Sequence, residues 1–72
     1  MVDNFRETFQ KFLYEGRNKF KDIELAESWA NSKARHEVFG EDPLTVYKNG
    51  EPVIENNRLV RTPKYREFMS KI

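Results

Sequence analysis

The chain has 72 residues, a formal net charge of +1 and no cysteine. A chain of this length buries roughly 60% of its unfolded surface, and the lack of cysteine excludes disulfides and typical structural zinc sites. A charged fraction of 35% and a mean hydropathy of −0.88 could indicate disorder. However, the chain has ten aromatic residues (six Phe, three Tyr and one Trp), and its apolar residues recur at regular spacing, which indicates a folded core. We expect one domain over residues 1–72.

The first ten residues lack the apolar segment of a secretion signal, and no apolar run approaches 18 residues. These features predict a cytoplasmic protein that makes no membrane contact. Small cysteine-free chains rich in Lys and Phe are common in phages and mobile elements, and that association suggests a similar origin.

The first predicted helix runs from Val2 or Phe5 to Asn18. Asn4 with Glu7 matches a capping box, and Asp3 is an alternative cap. Gly16 is expected to end the helix, near a small group of basic residues. One helix face carries a row of apolar or small residues, which are Phe5, Phe9, Phe12, Leu13, Gly16 and Phe20.

The second predicted helix runs from Ile23 to Val38, with Asp22 as N-cap and Gly40 followed by Pro43 as its end. Its inner face is expected to carry Ile23, Ala26, Ala30, Ala34 and Val38, with Trp29 at the edge. Because alanine allows close approach, the Phe row should pack on this face. Residues 1–39 would then form an αα-hairpin.

Residues 44–61 are predicted to form an antiparallel β-meander of two or three strands. Two-residue turns at 49–50 and 56–57 carry the Asn and Gly residues that tolerate positive φ, which favours type I′ hairpins. The register that follows pairs Lys48 with Glu51, Tyr47 with Pro52, Glu55 with Arg58, and Ile54 with Leu59. The charged pairs are expected to neutralise each other.

Pro52 lacks an N–H group for a ladder bond, so one strand is expected to be short or absent. The sequence shows no linker, no low-complexity segment and no internal repeat.

Residues 62–72 are predicted to form a short helix, with Thr62 as N-cap and Pro63 at its first position. Its apolar residues Tyr65, Phe68, Met69 and Ile72 should face the core. The predicted fold class is therefore α+β. A two-helix N-terminal hairpin packs on a small antiparallel β-meander of two or three strands, with a short C-terminal helix.

Ser32 and His36 lie four residues apart on the second helix and could pair as nucleophile and base. No Gly-rich loop or nucleophile elbow accompanies them, so a solvated polar row is the preferred interpretation. A metal site combining His36 with Glu37, Glu41 or Asp42 is likewise disfavoured. We expect no catalytic residue, no metal and no cofactor.

Positive charge is concentrated at the C-terminal end. Residues 57–72 carry five basic and one acidic residue, a balance of +4, whereas residues 1–56 carry eight basic and eleven acidic residues, a balance of −3. The cations that could contact phosphate are Arg58, Arg61, Lys64, Arg66, Lys19 and Lys21. A nucleic-acid-binding regulator is the alternative hypothesis, since a net charge of +1 is low for a DNA-binding domain.

Residues 58–72, RLVRTPKYREFMSKI, resemble winged-helix proteins of the excisionase type, in which a strand ending in Pro leads into a short amphipathic helix. The resemblance implies nucleic-acid binding through a basic strand–helix junction. The longer first helix and the absence of a recognisable helix-turn-helix depart from that pattern.

The preferred hypothesis is a small non-enzymatic protein-interaction module, such as an adaptor, inhibitor or assembly factor. Aromatic side chains dominate binding hot spots. The candidate anchors are Tyr14, Trp29, Phe39 and Tyr47. A protein partner is expected, and the sequence is also compatible with a homodimer.

Overall fold

The computed structural model describes the backbone of residues 2–71 and the side chains of residues 4–71. Two long helices pack together, and two pairs of short antiparallel strands and a third helix follow them. The elements are α1 Val2–Lys19, α2 Ile23–Phe39, β1 Tyr47–Lys48, β2 Glu51–Pro52, β3 Ile54–Glu55, β4 Arg58–Leu59 and α3 Pro63–Ser70. The predicted α+β class is confirmed.

The core lies between α1 and α2, where aromatic rings meet alanines as predicted. Phe12 and Trp29 are 4% and 2% exposed, and their rings pack edge to face with centroids 6.2 Å apart. Ala30 and Ala34 are fully buried beside them. Leu59 of β4 belongs to the same cluster, so the β-segment closes the side of the helical hairpin.

Gly16 lies inside α1, so the prediction that it ends the helix is wrong. A Cβ atom at this position would lie 3.1 Å from Cε3 of Trp29 and 3.3 Å from Cβ of Ala26. The glycine therefore provides room for the buried indole where the two helices approach each other. The helix continues to Lys19, and the N–H of Phe20 donates to the carbonyl of Gly16 at 2.7 Å.

Both predicted caps of α2 are confirmed. The Asp22 carboxylate accepts hydrogen bonds from the N–H groups of Glu24 at 2.9 Å and Leu25 at 3.5 Å. Gly40, with φ of 83°, adopts the left-handed conformation that ends many helices.

Two other helix details differ from expectation. Asp3 and Asn4 lie within a helix that begins at Val2, so neither is its N-cap. Ile23 is 56% exposed and is not part of the inner face, because Leu25 takes the buried position in the first turn of α2.

Both hairpin registers are confirmed. Tyr47 pairs with Pro52, and Ile54 pairs with Leu59. Asn49, Gly50, Asn56 and Asn57 all have positive φ, as type I′ turns require.

Three valines join these hairpins in a closed ring of hydrogen bonds. The N–H of Val53 donates to the carbonyl of Val46, that of Val60 to Val53, and that of Val46 to Val60, each at 2.9 Å. Thr45 pairs with Arg61 as an isolated antiparallel bridge. This bridge is a third point of pairing, at the place where the chain enters and leaves the β-region. We call Val46, Val53 and Val60 the valine ring.

The valines of the ring recur every seven residues, and the residue before each one is buried, namely Thr45, Pro52 and Leu59. The ring takes the place of a flat three-stranded meander. The reason is that β2 pairs only with β1 and β3 only with β4, and Val53 lies between β2 and β3.

Pro52 is compatible with this arrangement. The Val53–Val46 bond makes that pair the hydrogen-bonded one. The neighbouring Tyr47–Pro52 pair is consequently a non-hydrogen-bonded pair in which the N–H would point away from the partner strand. The proline therefore removes no bond between β1 and β2.

The expected neutralisation of Lys48 by Glu51 does not form. Glu51 instead pairs with Lys33 of α2 at 3.0 Å, and this is the one ion pair within 4.0 Å among residues 4–71. Glu55 and Arg58 lie opposite each other without such contact. The Lys33 ammonium also lies over the ring of Phe12, 4.6 Å from its centroid. This cation–π contact stabilises the position from which Lys33 pairs with Glu51.

The apolar face of α3 does not reach the core, contrary to the prediction. Phe68 and Met69 are 53% and 47% exposed, and no described residue of α3 is buried. Tyr65 is half-buried, and Ile72 lies outside the described residues. Thr62 precedes the helix as predicted, but its hydroxyl donates to the carbonyl of Pro43 at 2.6 Å and accepts no hydrogen bond from an N–H group of the helix.

Candidate functional site

The four aromatic candidates separate clearly by exposure. Tyr14 and Phe39 are 72% and 66% exposed. Trp29 fills the core, so it is not available to a partner at the surface. Tyr47 is half-buried, and its hydroxyl contacts Ser32 and Asp42 within the molecule.

Phe39 belongs to a continuous stack of three rings at the open end of the helical hairpin. Its ring stacks on Phe5 with centroids 5.8 Å apart and an interplanar angle of 22°. Phe5 in turn stacks on Phe9 at 6.3 Å and 5°. We call these three residues the aromatic stack.

The sequence prediction assigned Phe5 and Phe9 to the core, and both pack against the core cluster as half-buried residues. They also border a depression of about 400 Å³ whose other lining residues are Glu27, Ser28 and Asn31. The signal for their association with Phe39 is topological. In an antiparallel hairpin the start of α1 must lie beside the end of α2.

A buried polar network surrounds the hydroxyl of Tyr47. This oxygen lies 2.6 Å from the carbonyl of Ser32 and 2.7 Å from Oδ2 of Asp42. Burial raises the pKa of Tyr47 well above its ordinary value, and the hydrogen bond to Asp42 and the charge of that carboxylate raise it further. The network ties the loop before β1 to α2.

Thr45 extends this network to the last strand. Its hydroxyl accepts a hydrogen bond from Nη1 of Arg61 at 2.6 Å and contacts the hydroxyl of Ser32 at 3.5 Å. Arg61 also lies over the ring of Tyr65, with 4.7 Å from Cζ to the centroid. The guanidinium therefore stabilises both the Thr45–Arg61 bridge and the position of α3.

Ser32 and His36 do not form a nucleophile–base pair. Ser32 is 5% exposed, so it also does not belong to the solvated row that was expected. The ring of His36 stacks on Tyr47 with centroids 4.4 Å apart. The sequence interpretation missed Asp42 as a structural residue. Its Oδ1 accepts the N–H of Leu44 at 3.3 Å, a side-chain turn that an Asp followed by Pro favours.

Three of the six candidate cations lie around the second hairpin turn. Lys19, Lys21 and Asn57 line one depression of about 250 Å³. Arg58 and Asn57 line an adjoining depression of about 420 Å³. We call Lys19, Lys21, Asn57 and Arg58 the basic surface.

The remaining cations lie elsewhere. Arg61 lines the larger depression, but its contacts with Thr45 and Tyr65 give it a structural role. Lys64 and Arg66 are exposed on α3 and line neither depression.

Within residues 4–71 no group of three or more His, Asp or Glu side chains is placed to hold a metal ion. No helix in the described part of the chain has the length and apolar character to cross a membrane.

Comparisons with protein-family models, with curated proteins and with solved structures give no match, so function must be inferred from the residues of this chain alone.

Proposed function

We propose that this chain is a small non-enzymatic protein-interaction module that docks on a protein partner through the aromatic stack. The observation that carries the proposal is the exposure of Phe39, which is 66% accessible although it stacks on Phe5. The partner would bury this ring with an apolar side chain of its own. Burial of one Phe side chain contributes about 1.5–3 kcal/mol.

The aromatic stack has features that a single exposed ring lacks. Isolated apolar residues are common on protein surfaces and indicate nothing by themselves. Here three rings are continuous, and two of them, Phe5 and Phe9, border a depression of about 400 Å³ that can accept a side chain. Such a combination of aromatic anchor and adjacent pocket is typical of binding hot spots.

Phe39 is also held in place before binding. It is the last residue of α2, and the N–H of Gly40 closes the helix by donating to the carbonyl of His36 at 3.0 Å. Stacking against Phe5 restricts the ring further. A side chain that is already ordered loses less conformational entropy when a partner covers it.

The non-enzymatic part of the proposal is supported by the positions of Ser32 and His36. Ser32 is buried, and no hydrogen bond joins its hydroxyl to His36. The short contacts of Tyr47, Asp42 and Thr45 connect elements of the fold and face inward.

The test compares Phe39→Ser with Ile23→Ser. Ile23 is a matched control because it is 56% exposed and lies at the opposite end of α2. Affinity capture from the source organism identifies a partner, and calorimetry then measures its binding to each purified variant. We expect Phe39→Ser to weaken binding at least about tenfold and Ile23→Ser to leave it unchanged.

Sedimentation of the isolated chain covers the case in which the partner is a second copy. Association that Phe39→Ser abolishes would assign the stack to self-association. A partner that binds Phe39→Ser as tightly as the original chain would contradict the proposal.

A further inference from the structure

The basic surface is built by the fold from two distant parts of the sequence. Lys19 and Lys21 come from the end of α1 and the turn that follows, whereas Asn57 and Arg58 come from the second hairpin. The two depressions that these residues line share Asp22, Leu25 and Asn57, so they adjoin each other. All four residues of the basic surface are exposed, and the ammonium of one of them, Lys19, also lies 5.0 Å from the centroid of the Trp29 ring.

We propose that the basic surface binds the phosphate backbone of duplex DNA without reading base sequence. Three cations around one exposed hairpin tip match a ligand with regularly spaced negative charges. The Asn57 side chain adds a neutral hydrogen-bond donor at the same tip, which is a common type of phosphate contact. This proposal goes beyond the protein-interaction function and does not depend on it.

Two carboxylates line the larger depression and limit the positive potential. The Asp22 carboxylate is directed at the N–H groups of Glu24 and Leu25, which it caps. The Glu24 side chain is exposed in the first turn of α2 and makes no ion pair within 4.0 Å among the described residues. Glu24 is therefore the group expected to oppose an approaching phosphate.

The aromatic side chains near the basic surface favour a duplex over a single strand. Proteins that bind single strands stack bases on accessible aromatic rings. Here Phe20 packs edge to face on Trp29 at 5.6 Å, and Arg61 covers the ring of Tyr65. Both rings are half-buried in these contacts, which limits the stacking of a base on either of them and favours contact with the DNA backbone.

Phe39 and the basic surface lie at opposite ends of α2. The helix has 17 residues, which corresponds to roughly 24 Å between its first and last residues. Ser28 lines both the depression beside Phe5 and Phe9 and the larger depression of the basic surface, so the separation applies to Phe39. Substitution of Phe39 should therefore leave the basic surface unchanged. This separation keeps the outcome for DNA independent of the outcome for a protein partner.

The test is fluorescence anisotropy of a labelled 20-bp duplex between 50 and 200 mM salt. If three phosphates are neutralised, the association constant should fall about 40-fold over this range. Lys21→Ala and Arg58→Ala should each weaken binding and reduce the fall to about 12-fold. Two duplexes of unrelated sequence should bind equally well.

Three variants serve as controls. Lys48→Ala removes an exposed cation beside the first hairpin turn, outside both depressions, and should change nothing. Phe39→Ser should also bind DNA normally. Glu24→Gln should tighten binding at least about twofold, a gain that misfolding does not produce.

Several results would overturn the proposal. These are no binding at 50 mM salt, tighter binding to a single strand of the same length, and a clear preference between the two duplexes. A loss with Lys48→Ala as large as that with Arg58→Ala would show that net charge and not this surface is responsible.

Discussion

The ring of His36 stacks on the ring of Tyr47, with centroids 4.4 Å apart and planes inclined by 26°. This contact joins the last turn of α2 to β1. The hydroxyl at the other end of the Tyr47 ring contacts the Ser32 carbonyl one turn earlier along the same helix. One side chain thus fixes how the first hairpin lies on α2.

We therefore expect Tyr47→Phe to destabilise the fold by about 1–3 kcal/mol, because Ser32 and Asp42 lose a buried hydrogen-bond donor. The measurement is urea unfolding followed by circular dichroism. Tyr14→Phe is the matched control, since Tyr14 is 72% exposed. Equal stability of the two variants would show that the hydroxyl of Tyr47 contributes nothing.

The same residue predicts a dependence of stability on alkaline pH. The folded protein raises the pKa of Tyr47 above its ordinary value of 10.0. The contribution of the neutral phenol is therefore complete below pH 10 and is lost as the pH rises above that value. Unfolding free energies measured from pH 8 to 11 should decline less steeply for Tyr47→Phe than for the original chain. Parallel curves would contradict this prediction.

Gly16→Ala should destabilise the protein even though alanine favours helix formation by about 1 kcal/mol. The added Cβ would lie 3.1 Å from Trp29, which is 2% exposed and confined by Phe12 and Phe20. We expect a net loss of about 1–2 kcal/mol from this overpacking. Thermal unfolding measures it, and a raised melting temperature would show that the indole can move.

Val53→Pro should disrupt the β-segment, in contrast to the natural proline beside it. The substitution removes the N–H that donates to Val46 at 2.9 Å and so opens the valine ring. We expect a loss of about 2–3 kcal/mol, together with faster amide hydrogen exchange at Val60. Val53→Thr keeps the N–H group and a similar shape and is the control.

Phe68→Ser and Met69→Ser should change the free energy of unfolding by less than about 0.5 kcal/mol, because both side chains are about half exposed. Leu59→Ser is the contrasting variant, since Leu59 is 9% exposed and belongs to the core. A large loss with Phe68→Ser would mean that α3 packs more tightly than its exposure indicates.

Features that depend on local backbone chemistry were predictable from the sequence. The positive φ at 49–50 and 56–57 follows from Asn and Gly, and it determines the cross-strand register. Asp22 and Gly40 mark the ends of α2 for equally local reasons. The Phe row of α1 and the Ala row of α2 predicted the contact between these helices, because helix periodicity determines which side chains share a face.

Features that depend on contacts between distant residues were not predictable. Gly16 has the same local signature whether it ends a helix or makes room for Trp29. The spacing of Phe68 and Met69 gives an amphipathic helix but does not show whether anything covers it. The basic surface requires α1 and the second hairpin to meet, and no sequence pattern places Lys21 near Arg58.

The valine ring also bears on solubility. An open sheet presents an unpaired strand edge that can recruit another chain and begin aggregation. In this chain each strand pair has two residues per strand, and the N–H of each valine at the junctions donates to the carbonyl of another valine of the ring. The β-region therefore has no extended strand edge, and the exposed residues of its two turns are Asn and Gly. A chain this small can therefore expose the ring of Phe39 while its β-structure offers no extended strand edge to a second chain.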